Sequence, residues 1–286
     1  MMKAVAAAVI LPTVMSCTKS DGTLDVSVIE KDKMEKKTIT FTFGGERTEQ
    51  SPMTRGSLSD ANITDLWLFD YIGSELQQTV HQQSTDDGFG AVSLTADYGE
   101  HTLYFVASRG DTPTIDGTVI SWVKPSDTFW QSTTLNIQPS TSTAQSVSLG
   151  RVATRLRITV ADEVPDGLAT LSVTPSHWYS GLHYITGEAA DDRTTTRTIS
   201  VPASYAGTTG QLVASFYCVS PSTDWLTNIT LTAIAQDNST LAAITIPDVP
   251  MRQNRITDFS GTLFSTGRLM NITVDDEWGD PLTGTW

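Results

Sequence analysis

Residues Thr38–Phe43 read TITFTF. Threonines at 38, 40 and 42 alternate with Ile39, Phe41 and Phe43. In an extended chain successive side chains point to opposite faces, so one face here is apolar and the other carries hydroxyls. β-Branched and aromatic residues suit that geometry, and the pattern predicts a half-buried strand. The same period recurs outward along the chain. Arg151–Val160 (RVATRLRITV) sets Leu156, Ile158 and Val160 inward and Arg155, Arg157 and Thr159 outward. Asn228–Ala235 and Leu241–Ile246 flank Gln236-Asp237-Asn238-Ser239, a hairpin signal. Asn271–Val274 (NITV) is the last clear strand. Asp65–Tyr71 (DLWLFDY) and Thr102–Ala107 (TLYFVA) are apolar on both faces, as strands covered on both sides are. No segment sustains a helical apolar stripe over three turns. The chain reads as all-β, built from sandwiches.

A length of 286 residues suits two domains. The polar stretch Pro139–Ser148 (PSTSTAQSVS) is the expected connector, giving an N-terminal sandwich over 38–139 and a C-terminal one over 149–286. Residues 18–37 are charged and weakly patterned, and are expected to form a flexible tether. The net charge is −14, with the excess of acid lying after Arg55. Such a body repels phosphate backbones, so nucleic acid is excluded as an expected partner. No apolar run after residue 17 is long enough for a membrane-spanning helix.

The N-terminus reads MMKAVAAAVILPTVMSC over Met1–Cys17. Lys3, a short apolar run and Val14-Met15-Ser16-Cys17 match a signal peptide ending in a bacterial lipobox. Cleavage there leaves Cys17 as a lipidated N-terminus, held at the outer membrane by acyl chains such as palmitate rather than by a helix. The competing reading is an ordinary secretory signal with an incidental cysteine. The second cysteine, Cys218, lies in the apolar run Leu212–Val219 and is expected as a buried thiol. Two cysteines support neither a disulfide framework nor a zinc site.

Catalytic motifs are missing from the sequence. His177 and His183 are six apart without metal-site spacing. Ser180-Gly181 lacks a nucleophile-elbow frame, and no glycine-rich phosphate loop occurs. Asp86-Asp87 and Asp275-Asp276-Glu277 lack the alternation of a calcium loop. The chain is therefore expected to be non-enzymatic, with no cofactor and no metal. Trp130, Trp178, Tyr179 and Trp225 are candidate stacking platforms for a glycan, against the alternative that they fold back over the sandwich ends.

Several segments together resemble the fimbrillin family, the type V pilus subunits and their cell-surface anchors. They are the lipobox at Cys17, TITFTF followed by Met53-Thr54-Arg55-Gly56, DLWLFD at 65–70 and Leu149-Gly150-Arg151-Val152-Ala153. Met251-Arg252-Gln253-Asn254-Arg255-Ile256-Thr257, Gly261-Thr262-Leu263-Phe264 and the terminal strand up to Glu277-Trp278 complete the series. The resemblance implies two transthyretin-like β-sandwich domains in tandem and export as a lipoprotein to the cell surface. It also implies cutting by an arginine-specific protease at Arg55, before Gly56, with Arg47 as the rival position. In that scheme the strand bearing Ile39, Phe41 and Phe43 leaves, and a C-terminal strand of a neighbouring pilin subunit fills the groove. Met270, Ile272 and Val274 are the candidate donor row. Anchors of the family keep the lipid and escape the cut, so stalk, tip and anchor roles stay open, as does a glycan-binding surface lipoprotein with a host or glycan ligand.

The physics of such an exchange is independent of the resemblance. Burying three large apolar side chains is worth roughly 5–9 kcal/mol before entropy costs. A donor with the same two-residue spacing can replace them by adding its own backbone to the sheet. A head-to-tail contact of that kind does not close and makes a filament. The alternative is that both strands simply pair within their own sandwiches.

Overall fold

The computed structural model describes residues 35–43, 63–265 and 270–275. Cys17, Arg47, Arg55, Gly56, the expected signal peptide and most of the expected tether lie outside the described residues.

The strands of the first half are β1 (Lys36–Phe43), β2 (Asp65–Ile72), β3 (Glu75–Gln83), β4 (Ala91–Asp97), β5 (Gly99–Ser108), β6 (Thr114–Asp116), β7 (Val119–Ser121), β8 (Thr128–Ile137), β9 (Ala144–Val147) and β10 (Gly150–Arg151). Those of the second half are β11 (Ala153–Val160), β12 (Leu168–Pro175), β13 (Tyr179–His183), β14 (Glu188–Asp192), β15 (Arg197–Ser200), β16 (Leu212–Val219), β17 (Trp225–Ala235), β18 (Thr240–Met251), β19 (Ile256–Gly261) and β20 (Met270–Asp275). One 3-10 turn, Ala203–Tyr205, is the only helical element among the described residues.

The two halves repeat one plan. In the first, a sheet ordered β4-β1-β9 faces a sheet ordered β10-β8-β5-β2-β3. In the second, β16-β11-β19-β20 faces β15-β12-β17-β18. The opening strand of each half, β1 or β11, pairs antiparallel on one side and parallel on the other. The order β3-β2-β5-β8 matches β15-β12-β17-β18 strand for strand. The all-β expectation of two sandwiches in tandem is met. Strand β20 has no counterpart among the described residues of the first half.

Alternation explains each core. Ile39, Phe41 and Phe43 join Leu66, Leu68, Leu94, Leu103 and Phe105 in the first. Leu156, Ile158 and Val160 join Leu171, Ile229 and Phe259 in the second. The both-faced apolarity of DLWLFDY has a direct cause. Leu66 and Leu68 face the first core, while Trp67, Phe69 and Tyr71 enter a third with Ile120, Trp122, Leu182 and Tyr184. A small sheet ordered β14-β13-β7-β6 covers that back face. Its hairpins come from different halves, and they join at Gly181↔Ser121 and Leu182↔Ile120.

Two boundaries differ from expectation. The stretch 139–148 is not a free connector, because Ala144–Val147 forms β9 and Val147 and Leu149 enter the first core. Its serines and threonines face outward while one valine in four residues suffices to seat the strand. Lys36 and Lys37, assigned to the tether, belong to β1, where Lys37 Nζ donates to the carbonyls of Gln138 and Pro139 at 3.2 and 2.6 Å.

The junction of the halves is packed without slack at Gly187. Its backbone is left-handed (φ +77°), and a Cβ there would lie 2.8–2.9 Å from ring atoms of Trp130. Gly187→Ala is expected to destabilise the protein by about 1–3 kcal/mol through clash and backbone strain. Urea unfolding followed by tryptophan fluorescence measures it.

Candidate strand-exchange interface

Strand β1 is the middle strand of its sheet. It meets β4 antiparallel, with Ile39↔Leu94 and Phe41↔Val92, and β9 parallel, with Phe41↔Gln145 and Phe43↔Val147. Among the described residues, β4 and β9 pair with no other strand. The two walls therefore share a sheet only through β1. On the inner face Ile39, Phe41 and Phe43 are buried, and the Phe41 and Phe43 rings lie 5.3 and 5.5 Å from that of Phe105. On the outer face Thr38 Oγ1 bonds Thr95 Oγ1 at 2.8 Å, and Thr40 Oγ1 bonds Ser93 Oγ at 3.0 Å. Inner packing and outer hydroxyl pairing are both properties of a two-residue repeat, so another strand of that repeat can satisfy the same slot.

Strand β20 is an edge strand. Among the described residues it pairs with β19 alone, antiparallel, with Phe259↔Ile272 and Thr257↔Val274. Directly paired residues share a face, so Ile272 and Val274 sit on the core side with Phe259. Even so, Ile272 is 39% exposed. The side chain of Met270 lies outside what is described.

The approach to β20 is clamped. The Asp162 carboxylate accepts the N–H groups of Leu263, Phe264 and Ser265 at 3.0, 2.7 and 2.7 Å, and the Ser265 hydroxyl at 3.0 Å. Burial alone would raise the Asp162 carboxyl, but these four donors outweigh it and hold the group below its ordinary 3.8.

Gln78 and Gln82, on which the sequence reading was silent, reach from β3 to the outer edge of β4. They donate to the carbonyls of Thr95 and Ala91, both at 3.1 Å. Their signal in the sequence is an amide at alternate positions around Val80 in ELQQTVHQQ.

The remaining candidates are structural in their contacts. His101 is buried, bonding Asp70 Oδ1 at 2.6 Å through Nδ1 and the Asp97 carbonyl at 3.0 Å through Nε2. His81 stacks on Trp67 and bonds Asp65; His177 bonds Asp192, and His183 bonds Thr118. Among the described residues no three His, Cys, Asp or Glu side chains gather as a metal would need. Cys218 is buried, and burial pushes its thiol far up.

The glycan platforms need correction at Trp178. Its side chain is 1% exposed and belongs to the second core, and its backbone N–H donates to Asp192 Oδ1 at 2.9 Å just before β13. Trp130 is half-buried, with its Nε1 donating to the Tyr184 carbonyl at 2.7 Å. Tyr179 and Trp225 are half-buried and meet edge to face at 5.2 Å.

A family model described as a family of unknown function, DUF6562, matches residues 116–285, more than half the chain. The chain belongs to that family. No curated protein matches it. Among solved structures, the DUF6562 chain is similar to a candidate adhesin from Bacteroides ovatus, with a TM-score of 0.53 and 13% identity over 88% of this chain and 95% of that one. It is similar to a candidate polysaccharide-binding protein from Bacteroides thetaiotaomicron, with a TM-score of 0.53 and 10% identity over 84% and 96%. It is also similar to a fimbrial assembly protein from Parabacteroides distasonis, with a TM-score of 0.50 and 12% identity over 84% and 99%. At these identities the likeness is one of fold, spanning nearly the whole of each neighbour. The fold implied by the fimbrillin resemblance is thus the fold observed.

Two substitutions probe this interface. Phe41→Ala is expected to cost about 3–5 kcal/mol, read from chemical denaturation, because β1 seats the first core. Asp162→Asn is expected to lower Tm at neutral pH by about 2–4 °C, the equivalent of ~1 kcal/mol in a chain of this size. Since the folded carboxyl titrates below its unfolded value, its contribution is complete above that value and is lost as pH falls through the folded one. The wild-type and variant Tm curves should therefore converge on acidification below 3.8.

Proposed function

We propose that this protein is a non-enzymatic, lipid-exported subunit of a cell-surface fimbria, assembled by strand exchange. The observation that carries the reading is the position of β1. It is the strand that joins β4 to β9, and the segment 44–62 that follows it holds both Arg47 and Arg55. A cut there would free β1 from the rest of the chain at its C-terminal end. Its departure would open a slot lined by Leu94, Val92, Phe105 and Val147, with unpaired backbone on both walls. The row Met270, Ile272, Val274 of a second copy supplies the spacing that slot demands.

The topology of the second half supports β20 as the donor. Without β20, the sheet β16-β11-β19 keeps the same three-strand plan as β4-β1-β9. Its Ile272 is incompletely covered at home and gains burial in a neighbour's slot. Adhesin and fimbrial-assembly neighbours in fold agree with a surface role. Cys17 serves as the lipid attachment during export to the outer membrane. A subunit that keeps Cys17 and is never cut would act as the fimbrial anchor, and the N-terminal residue on the native cell surface tells the two roles apart.

Arginine-specific digestion of the purified protein is expected to yield a stable fragment beginning at Gly56 that forms oligomers on gel filtration. Replacing Arg55 with alanine is expected to abolish that fragment and the oligomers. Stable monomers after a complete cut would remove the stalk role.

A further inference from the structure

The slot has two walls, and each continues into a strand of the opposite sheet. The β9 wall runs into β10, which pairs with β8 at Gly150↔Trp130 and Arg151↔Phe129. Its continuation is thereby fixed to the opposite sheet whether or not β1 is present. The β4 wall likewise runs straight into β5, which pairs with β2 and β8, but among the described residues its outer edge pairs with no strand. Its inner edge pairs with β1, and its outer edge faces β3, which belongs to the opposite sheet.

Glutamine side chains bridge that gap. Gln82 does so in both directions: Nε2 donates to the Ala91 carbonyl at 3.1 Å, and Oε1 accepts the Gly90 N–H at 3.2 Å. It presents to the edge of β4 the same donor and acceptor that a neighbouring peptide group would. Four residues earlier, on the same face of β3, Gln78 Nε2 donates to the Thr95 carbonyl at 3.1 Å and touches Asp70 Oδ2 at 3.4 Å. Val80 stands between the two glutamines and packs against the first core. At the far end of β4, His101 Nε2 donates to the Asp97 carbonyl at 3.0 Å. The outer edge of β4 is thus tied at residues 90, 91, 95 and 97, and none of these ties involves β1.

We propose that Gln78 and Gln82 are positioning residues of the acceptor slot, holding β4 open as a wall when β1 is absent so that an incoming strand finds a preformed partner. The inference rests on the strand-exchange reading above and assigns to it residues outside the slot itself. While β1 is seated, its own ladder positions β4 and the glutamines are redundant. Once β1 leaves, they act with the His101–Asp97 bond and the run into β5 to keep the Val92, Leu94 and Ala96 side chains from collapsing into the vacated space. Preorganisation of this kind lowers the cost of binding without adding a contact to the bound strand.

The test uses the full-length protein, nicked by an arginine-specific protease within 44–62 and incubated with an excess of a fluorescent peptide of the β1 sequence, KKTITFTF. Peptide retained with the protein on gel filtration reports recapture of the slot. The variant is Q78M/Q82M, which keeps the length of both side chains and removes both amides. The intact variant is expected to match wild-type in Tm within a few degrees, while after nicking it takes up at least about tenfold less peptide, the factor that one or two lost hydrogen bonds carry. Equal uptake by wild-type and variant overturns the positioning role and leaves strand exchange standing. No uptake by nicked wild-type protein overturns strand exchange itself. Should the double variant melt well below wild-type before nicking, the role is again overturned, since the glutamines would then be needed with β1 in place. The single variants Q78M and Q82M would each show a partial loss of uptake if the ties act separately.

Discussion

The first sandwich depends on one ladder position. Among the described residues β4 and β9 share a sheet only through β1, so the sheet that covers one side of the first core is held together by an eight-residue segment, Lys36–Phe43. Losing an edge strand leaves the rest of a sheet paired, whereas losing a middle strand does not. Here the middle strand is the first among the described residues, and its loss separates two walls that do not pair with each other. The apolar burial at stake, roughly 5–9 kcal/mol, is comparable to the whole stability of an ordinary domain. A slot of that depth is stable when filled and strongly unfavourable when empty.

The rest of the molecule is built so that this weakness stays local. The back of the five-stranded sheet is sealed by the third core, where Phe69 stacks on Tyr184 at 3.8 Å and the Tyr71 and Tyr184 hydroxyls bond at 2.9 Å. That core recruits hairpins from both halves into one small sheet through β7 and β13. Arg109 adds a further tie, donating from the first half to the Tyr217 hydroxyl of the second at 2.9 Å. The halves thus brace the strands β2, β5 and β8 from behind, on the face away from β1. Rigidity on one face and dependence on a single strand on the other are complementary features of the same sheet pair.

Much of this was legible in the sequence, for reasons that can be named. TITFTF and RLRITV follow a strict two-residue alternation, and in both the structure buries the residues the period selects. DLWLFDY announced two covered faces, though not what covered the second. That cover comes from hairpins more than forty residues away in sequence, a pairing no local pattern encodes. β9 was hidden because Ala144-Gln145-Ser146 are polar or small and only Val147 faces inward. Trp178 was misplaced because a tryptophan beside a serine-glycine turn looks like a loop residue until Asp192, fourteen positions on, is seen to fix its backbone. Gln78 and Gln82 were invisible for a related reason. Glutamine is an ordinary exposed strand residue, and only the tertiary approach of β4 gives its amide a role.

The repeat of topology between the halves carries an argument about β20 that neither burial nor sequence alone supplies. Seven strands of the first sandwich map onto seven of the second in order and direction, including the parallel partner that follows each opening strand. An element with no counterpart is not required by the plan that both halves satisfy. β20 is one such element: among the described residues it is the last strand, lies on an edge and pairs with one neighbour, and its approach is clamped by Asp162. Its partner strand β19 is already fixed by its parallel pairing with β11 and by Phe259 in the second core. Departure of β20 therefore costs one edge ladder, whereas departure of β1 dissolves a sheet. The asymmetry sets the direction in which strand exchange would run, from an expendable edge of one copy into an indispensable slot of the next.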